Sequence, residues 1–189
     1  MNKIEIRNLC KAYGEKTVLK DLSLTVTPGE LNCIMAPSGY GKTTLLRILA
    51  GLETPDSGTV TGVPEKLSFV LQEDRLCEDF CAVSNVRFAT GKTVSKAQIT
   101  DCLEKLGLPD GNIPVKKLSG GMKRRVAIAR ALCSDWDLLI MDEPFKGLDA
   151  ALKQNVMDYV KERIKGKTVL FVTHDSAEAA YMGGSCIRL

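Results

Sequence analysis

The stretch LNCIMAPSGYGKTTLLRILAG, at positions 31 to 51, determines the fold class of this chain. It begins with a short apolar run and ends with leucines at helical spacing, so it predicts a buried strand, a glycine-rich loop and a helix in that order. The loop APSGYGKTT, at positions 36 to 44, matches the pattern G-x-x-x-x-G-K-[ST] except that Ala36 replaces the first glycine. Strand, loop and helix follow one another as this pattern requires.

Such a loop holds anionic phosphates through successive backbone N–H groups and through the N-terminal dipole of the following helix. We expect Lys42 to reach the β- and γ-phosphates of a nucleotide and the Thr43 hydroxyl to bind Mg²⁺. The triplet GKT also occurs at 91–93 and 166–168, but neither copy opens a helix after a strand. Only the copy at 41–43 is therefore predicted to bind phosphate.

Composition and charge limit the class of protein. The 189 residues are enough for one well-packed domain with a small insert, and 44% apolar and 26% charged residues are typical of a globular protein. The net charge of +3 is spread along the chain and does not indicate nucleic-acid binding. No apolar run approaches the roughly 18 residues that span a bilayer, and the N-terminus MNKIEIRNLC carries charges where a signal peptide is apolar, so we expect a cytoplasmic protein.

Seven cysteines are present, and no two have the C-x-x-C spacing of a zinc or redox site. We expect reduced thiols packed as small apolar residues. Cys77 and Cys81 are four positions apart and could meet on a helix, but no partner ligands for a metal lie near them in the sequence. His174 is the single histidine, which excludes a histidine-rich metal site.

Hydrophobic patterns outside the loop predict the remaining elements. Alternating apolar residues predict strands in the first 26 residues; residues 55–58 predict a turn, and TVTGV and KLSFVL predict short strands. Residues 73 to about 118 lose the strand pattern and contain the helix SKAQITDCLEKLG, with Ser95 and Gln98 as a capping box. After a helix from about Ser119, the strands DLLIM, TVLFV and CIRL alternate with helices, which favours a parallel sheet covered on both faces.

Two further stretches carry chemical groups. The apolar run LLIM leads into Asp142-Glu143-Pro144, and a buried strand ending in carboxylates beside a phosphate loop suits metal binding by Asp142 and general-base catalysis by Glu143. A lone Asp-Glu pair also ends many strands in an ordinary charged turn. LSGGM, at positions 118–122, places Ser119 at a helix start that can bind an anion or serve as a simple N-cap.

Taken together, these motifs resemble those of the nucleotide-binding subunit of ATP-binding cassette (ABC) transporters, in the family's order and from Tyr13 to the C-terminus. APSGYGKTT resembles the Walker A loop, Gln72 in FVLQED the Q-loop, and LSGGM the signature motif. LLIMDEP is similar to Walker B, FKGLD to the D-loop, and THD at 173–175 to the switch histidine. Six motifs in order make the resemblance highly specific.

The resemblance implies an α/β fold of the P-loop NTPase type. Its expected parts are a mostly parallel central sheet, an N-terminal antiparallel β subdomain and an inserted small α-helical lobe. We expect a single ABC-type ATPase domain over residues 1–189, with the core at 1–72 and 119–189 and the lobe at about 73–118.

The resemblance also implies ATP and Mg²⁺ as cofactors, and two cassettes, as a homodimer or a cassette pair, that face each other head to tail in the ATP-bound state. Tyr13 would stack on adenine, although a half-buried strand-end tyrosine is the alternative. Glu143, His174, Gln72 and Lys42 would be catalytic, and Thr43, Gln72 and Asp142 would bind the metal. The expected nucleotide contacts, some of them made by the opposite cassette, are Tyr13, Pro37, Ser38, Gly39, Tyr40, Gly41, Lys42, Thr43, Thr44, Ser119, Gly120, Gly121 and Asp149.

Some positions depart from the family pattern. Alanine is compatible with negative φ, so we expect the loop to tolerate Ala36. Tyr40 is bulkier than the usual serine, and its side chain should point away from the phosphates. Met122 stands where a glutamine is usual, so one polar contact across the dimer interface is in doubt while the roles of Ser119 and Gly121 remain.

The function implied is that of an ATPase subunit, peripheral on the inner face of the membrane, that drives a separate integral membrane permease. QEDRL and DEPFKGLD look most like cassettes of nitrate, sulfonate and taurine importers, which would add an indirect partner, a solute-binding protein. We expect a minimal cassette without a C-terminal regulatory domain and no nucleic-acid partner. A stand-alone cytosolic ABC-type ATPase is the alternative. A binding-only cassette is disfavoured because Lys42, Asp142, Glu143 and His174 are all present.

Overall fold

The computed structural model describes residues 2–36 and 39–188. In chain order its strands are β1 (Ile4–Tyr13), β2 (Lys16–Val26), β3 (Leu31–Met35), β4 (Ser57–Thr61), β5 (Leu67–Val70), β6 (Leu138–Asp142), β7 (Thr168–Thr173) and β8 (Ser185–Arg188). Its helices are α1 (Lys42–Leu49), α2 (Ala82–Thr90), α3 (Lys96–Lys105), α4 (Gly120–Cys133), α5 (Ala150–Ile164) and α6 (Ser176–Met182). None of the helices in these two described ranges has the length and apolar character needed to cross a bilayer.

Residue contacts divide the chain into two compact units. The first contains the chain up to Leu67, the segment Asp137–Asp142 and the chain from Gly166 onwards. The second contains Ser68–Trp136 and Glu143–Lys165. The second unit thus holds the lobe predicted at about 73–118 and, in addition, α4 and α5. The assignment of residues 1–189 to one functional ATPase domain stays a prediction.

An antiparallel sheet with the strand order β2-β1-β4 begins the first unit. Ile4 pairs with Val26 and Ile6 with Leu24, and all four side chains are buried. Because side chains alternate between the two faces of a strand, this period-two pattern gives the sheet one apolar face. The predicted N-terminal antiparallel subdomain is confirmed.

The predicted turn at 55–58 is wrong in its second half, because Ser57 and Gly58 belong to β4. Ser57 pairs with Cys10 of β1. At Gly58 the angle φ is +90°, and a Cβ atom there would lie 2.5 Å from the carbonyl oxygen of Asn8. The glycine therefore marks a close approach of two strands, which a sequence pattern does not distinguish from a turn.

A parallel sheet forms the centre of the first unit, where β6, β7, β3 and β8 lie side by side in that order. Every residue of β6 and β7 is buried, as expected of strands covered on both faces. Met35 pairs with Thr173, and Asp142 pairs with Val172. The carboxyl ends of β3, β6 and β7 therefore meet at one edge of the sheet, and the predicted mostly parallel sheet is confirmed.

The second unit packs α2, α3, α4 and α5 around its own apolar core. The capping box predicted at the start of α3 is present: the Gln98 N–H donates to Ser95 Oγ at 3.2 Å, and the Ser95 N–H donates to Gln98 Oε1 at 2.9 Å.

Helix α2 was not predicted. It has no side-chain cap, and its buried Asn85 binds the backbone of Cys77 through both amide atoms, so a polar residue interrupts the apolar stripe.

Candidate nucleotide-binding site

The glycine-rich loop connects β3 to α1, the position expected for a phosphate-binding loop. Lys42 is the first residue of α1 and is only 8% exposed, and its Nζ donates to the Ala36 carbonyl oxygen at 2.7 Å. Ala36 is buried and is not among the residues with positive φ, so its methyl group requires no strained backbone. Pro37 and Ser38, both predicted nucleotide contacts, lie outside the described residues.

The two loop glycines adopt backbone angles that side-chain-bearing residues rarely take. Gly39 has a φ of +91°, and Gly41, the N-cap of α1, has a φ of +72°. A Cβ atom at Gly41 would lie 2.6 Å from the Val18 carbonyl oxygen and 2.6 Å from Leu19 Cδ2, whereas a Cβ atom at Gly39 would meet none of the described residues within 4 Å. The loop is therefore packed closely against β2 at Gly41 and is open at Gly39. Tyr40, between them, is 55% exposed.

The structure brings the two predicted oxygen ligands of the first unit together. The Thr43 hydroxyl lies 3.4 Å from Asp142 Oδ2, to which it donates a hydrogen bond. Asp142 is the last residue of β6 and is buried, while Thr43 and Thr44 lie in the first turn of α1. A hydroxyl and a carboxylate at this spacing are oxygen donors of the kind that Mg²⁺ prefers, so the pair fits such an ion.

His174 follows β7 directly, at the sheet edge where β3 and β6 also end. Its side chain is exposed. The preceding Thr173 is held by a hydrogen bond from its Oγ1 to Glu178 Oε2 at 2.7 Å, and Asp175 caps α6 by accepting from the backbone of Ala177 and Glu178. The strand end that carries His174 is thus fixed on both sides, and the side chain lies at the edge expected for a ligand contact.

Tyr13 ends β1 and is 45% exposed. Lys11 Nζ lies 5.5 Å from the ring centroid. Hydrogen bonds from Lys11 and then from Tyr13 hold the pKa of Glu53 below its usual range. An exposed aromatic face at a strand end is available to stack on a base, and a half-buried strand-end tyrosine has the same exposure, so the adenine contact of Tyr13 stays a prediction.

Glu143, the predicted general base, is the first residue of the second unit after β6. It is 7% exposed and has a φ of +45°, which is unusual for a residue with a side chain. Its Oε2 lies 3.2 Å from Lys146 Nζ, and its carbonyl oxygen accepts from the Arg124 guanidinium at 2.8 Å. Backbone strain of this kind persists only where the surroundings hold the residue, and it is concentrated at functional sites.

Arg124 is a residue that sequence reasoning missed. It lies on α4, is 5% exposed, and donates to the carbonyl oxygens of Glu143 and Pro144 at 2.8 and 3.1 Å. The same guanidinium binds the carbonyl oxygen of Leu71 and that of Gln72, and it forms an ion pair with Asp74 at 2.9 Å. One buried cation therefore connects the Gln72 segment to the Glu143 segment.

A signal for Arg124 was present in the sequence. In KRRVAIARAL, Arg124 lies three positions before Ala127 and four before Ile128. This spacing places it on the same side of the helix as these buried apolar residues. A charged residue on that side must have buried partners. Gln72 itself has an exposed side chain, and its carbonyl oxygen accepts from Arg124 at 3.4 Å.

The signature stretch begins α4 in the second unit. Ser119 is the N-cap, and its Oγ accepts from the Met122 N–H at 3.3 Å. Ser119 and Gly120 are exposed, and a Cβ atom at Gly121 would lie 3.2 Å from the Gly147 carbonyl oxygen. The glycine thus permits the signature and the D-loop to approach closely.

Asp149 is exposed and caps α5, where its Oδ1 accepts from the Leu152 N–H at 2.9 Å. The structure gives this residue a capping role, and its role at a dimer interface stays a prediction.

Within each unit the predicted residues are therefore grouped. The first unit brings Lys42, Thr43 and Asp142 together, with His174 at the same sheet edge. The second joins Gln72 to Glu143 through Arg124, and the signature to the D-loop at Gly121. The first group can hold phosphate and a divalent cation, and the second supplies a buried carboxylate.

Comparison with known proteins identifies the family. A family model described as ABC transporter matches residues 19–146. The aliphatic sulfonates import ATP-binding protein SsuB 2 of Pseudomonas syringae pv. tomato is 38% identical over 182 residues, which cover 95% of this chain and 78% of that protein. The Nod factor export ATP-binding protein I of Cupriavidus metallidurans is 40% identical over 194 residues, covering 93% of this chain and 64% of that protein.

A solved structure supports the same assignment. The dimeric structure of a bacterial ABC transporter cassette superimposes with a TM-score of 0.87 at 32% identity, covering 98% of this chain and 94% of that one. Fold, motif order and sequence identity therefore agree. The chain belongs to the ABC transporter family, as an ATP-binding and ATP-hydrolysing subunit.

Proposed function

We propose that this chain is the motor of a transporter, and that it couples ATP hydrolysis to solute movement through a separate integral membrane permease. The observation that carries the hydrolysis part of the proposal is the contact between Thr43 and Asp142 at 3.4 Å, followed directly in the chain by the buried Glu143. Hydrolysis needs groups that bind the metal ion, here Thr43 and Asp142, and a further carboxylate that activates water, here Glu143. A cassette that only bound nucleotide would not need Glu143.

The chain's residues divide the work of hydrolysis between them. Lys42 and the α1 N-terminus hold the phosphates, and Tyr13 stacks on the adenine. Thr43 and Asp142 would hold Mg²⁺, and Gln72 is a further predicted ligand; the ion would supply positive charge to neutralise the phosphate oxygens. Glu143 accepts the proton of the attacking water, and His174 contacts the γ-phosphate and holds the geometry of the transition state.

The signature stretch has its role in a dimer. The structural relative with a TM-score of 0.87 is described as dimeric, which supports a pair of cassettes for this chain. In a head-to-tail pair, Ser119 and Gly121 of one copy approach the γ-phosphate bound by the other, because an exposed helix N-terminus favours an anion. Asp149 helps to organise the interface between the two copies.

The names of the relatives support a membrane partner. They include import subunits for aliphatic sulfonates and for Fe(3+) and an export subunit for Nod factor. We propose a peripheral location on the cytoplasmic face of the cell membrane, permease subunits as direct partners and a solute-binding protein as an indirect one. An oxyanion of the sulfonate type is the solute class that the first of these relatives favours.

Affinity purification of the chain, expressed with the genes adjacent to its own and extracted in mild detergent, tests the motor role. We expect an integral membrane protein to co-purify in stoichiometric amount. The control is the same extraction of an unrelated cytosolic ATPase. Recovery of the chain in an entirely soluble complex would instead support the stand-alone ATPase and overturn the proposal.

A further inference from the structure

The second unit contains a cavity of about 340 Å³ among three of its helices. Its wall includes Asp101 and Cys102 of α3, Cys133 at the end of α4, and Tyr159 and Arg163 of α5. None of these residues is assigned to nucleotide binding or to the predicted dimer contacts. Two thiols, a phenol and a guanidinium around one cavity form a cluster of reactive and charge-stabilising groups.

The two sulfur atoms of this cluster lie within hydrogen-bonding reach of each other, and the Tyr159 hydroxyl is within reach of Cys102. Cys102 is only 3% exposed and is reached from the cavity, while Cys133 is partly exposed. A small reagent that enters the cavity would therefore meet Cys102 with Cys133 beside it.

The surroundings make the two thiols chemically unequal. The hydrogen bond with Cys133 is the largest effect on Cys102 and lowers the pKa of its thiol; burial opposes this, and Tyr159 and Arg163 add to the lowering. The same hydrogen bond, together with burial, raises the pKa of Cys133. The lowered pKa favours Cys102 as the attacking cysteine, and Cys133, which lines the same cavity, is placed to act as the resolving one.

We propose that Cys102 and Cys133 are an oxidation site that reacts with small hydroperoxides to form a disulfide within the second unit. The Cys102 thiolate attacks a peroxide oxygen, so that an S–O bond forms, the O–O bond breaks, and hydroxide leaves beside the Arg163 cation and takes up a proton. The Cys133 sulfur then attacks the sulfenic acid, the S–S bond forms, and the hydroxyl leaves as water with the Cys133 proton. Two thiols lose two electrons and two protons, and hydrogen peroxide is reduced to two waters.

A second pair of cysteines in the chain provides a matched control. Cys33 of β3 and Cys186 of β8 are paired neighbours in the parallel sheet and also interact through their side chains. Here burial is the largest effect and raises the pKa of Cys33 to about 12, so this thiol stays protonated. Both pairs therefore interact through their side chains, but only the first contains a thiol whose pKa is lowered, and only the first lines a cavity.

Peptide mapping of the reduced, full-length chain after treatment with equimolar hydrogen peroxide tests the proposal without any substitution. After blocking with an alkylating reagent, trypsin gives the peptides 97–105 and 131–146, each with one cysteine. We expect these two to appear joined, at a rate at least tenfold above oxidation of the exposed Cys77 and Cys186. Equal rates at all cysteines, or a Cys33–Cys186 link forming first, would overturn the proposal.

Two variants separate the steps of the reaction. In C133S the resolving thiol is absent, so Cys102 is expected to accumulate as sulfenic acid that a 1,3-dione reagent traps. In the control C186S, the rate of formation of the joined peptides should be unchanged. Failure of C133S to yield the trapped adduct, in a variant whose circular dichroism matches that of the unsubstituted chain, would contradict the role of Cys102.

Discussion

Replacement of Glu143 by glutamine is expected to lower ATP turnover by about 100-fold to 10,000-fold, the range that general-base catalysis contributes. The amide keeps the shape of the side chain, and the Arg124 hydrogen bond at 2.8 Å is to the backbone oxygen, so the strained conformation of residue 143 is retained. The amide cannot accept a proton from water. ATP affinity should therefore change by about twofold or less, and the ATP-bound dimer should accumulate.

The rate of phosphate release measures turnover, titration with nucleotide measures ATP affinity, and light scattering in the presence of ATP measures the amount of dimer. E178Q is the matched control, because Glu178 is also a buried carboxylate and its amide would still accept the hydrogen bond of Thr173. The control should retain most of its turnover. Hydrolysis by E143Q at the unsubstituted rate would refute the assignment of Glu143 as the base.

The substitution Gly41→Ala is expected to reduce ATP affinity by more than about 100-fold. A left-handed backbone costs a residue with a side chain roughly 1–2 kcal/mol. In addition, the new Cβ atom would lie 2.6 Å from the Val18 carbonyl oxygen, which is backbone and cannot swing aside. The loop must shift to relieve this contact, and the N–H groups that bind phosphate then lose their alignment.

The matched variant Gly39→Ala separates the two contributions. Gly39 also has positive φ, but a Cβ atom there would meet no neighbour within 4 Å among residues 2–36 and 39–188, so the expected cost is that of the backbone. We expect a loss of affinity of about tenfold, near the 1.4 kcal/mol of a tenfold change. Titration with a fluorescent ATP analogue measures the affinity of each variant, and thermal unfolding without nucleotide checks that each variant is folded. Similar losses in the two variants would show that packing against β2 is unimportant.

The sequence was sufficient to predict those structural features that depend on local residue patterns. The strand, loop and helix around Lys42 and the capping box at Ser95 were predicted because each depends on residues within a few positions of one another. The parallel sheet followed from strands such as LLIM, whose apolar residues leave no face for solvent. The contact between Thr43 and Asp142 spans 99 positions, yet it was foreseen because both residues occupy motif positions.

Other features depend on contacts that local patterns do not specify. Arg124 binds carbonyl oxygens more than 50 positions before it and about 20 after it, and no periodicity identifies such partners. The ion pair between Lys146 and Glu143 joins the stretch that resembles the D-loop to the one that resembles Walker B, and no sequence pattern predicted it. Helix α2 was missed because the polar Asn85 occupies a buried position and interrupts the apolar pattern of the helix. Its amide group donates to the carbonyl oxygens of Cys77 and Phe80, which precede the helix.

The central claim is that ATP is hydrolysed between two copies of this chain, and the rate of phosphate release per subunit at increasing protein concentration tests it most directly. With ATP and Mg²⁺ in excess, the account predicts that the rate per subunit rises with protein concentration and then levels off, because each site needs the Ser119 region of a second copy. A rate per subunit that is constant at all concentrations, or no phosphate release at any of them, would contradict the account.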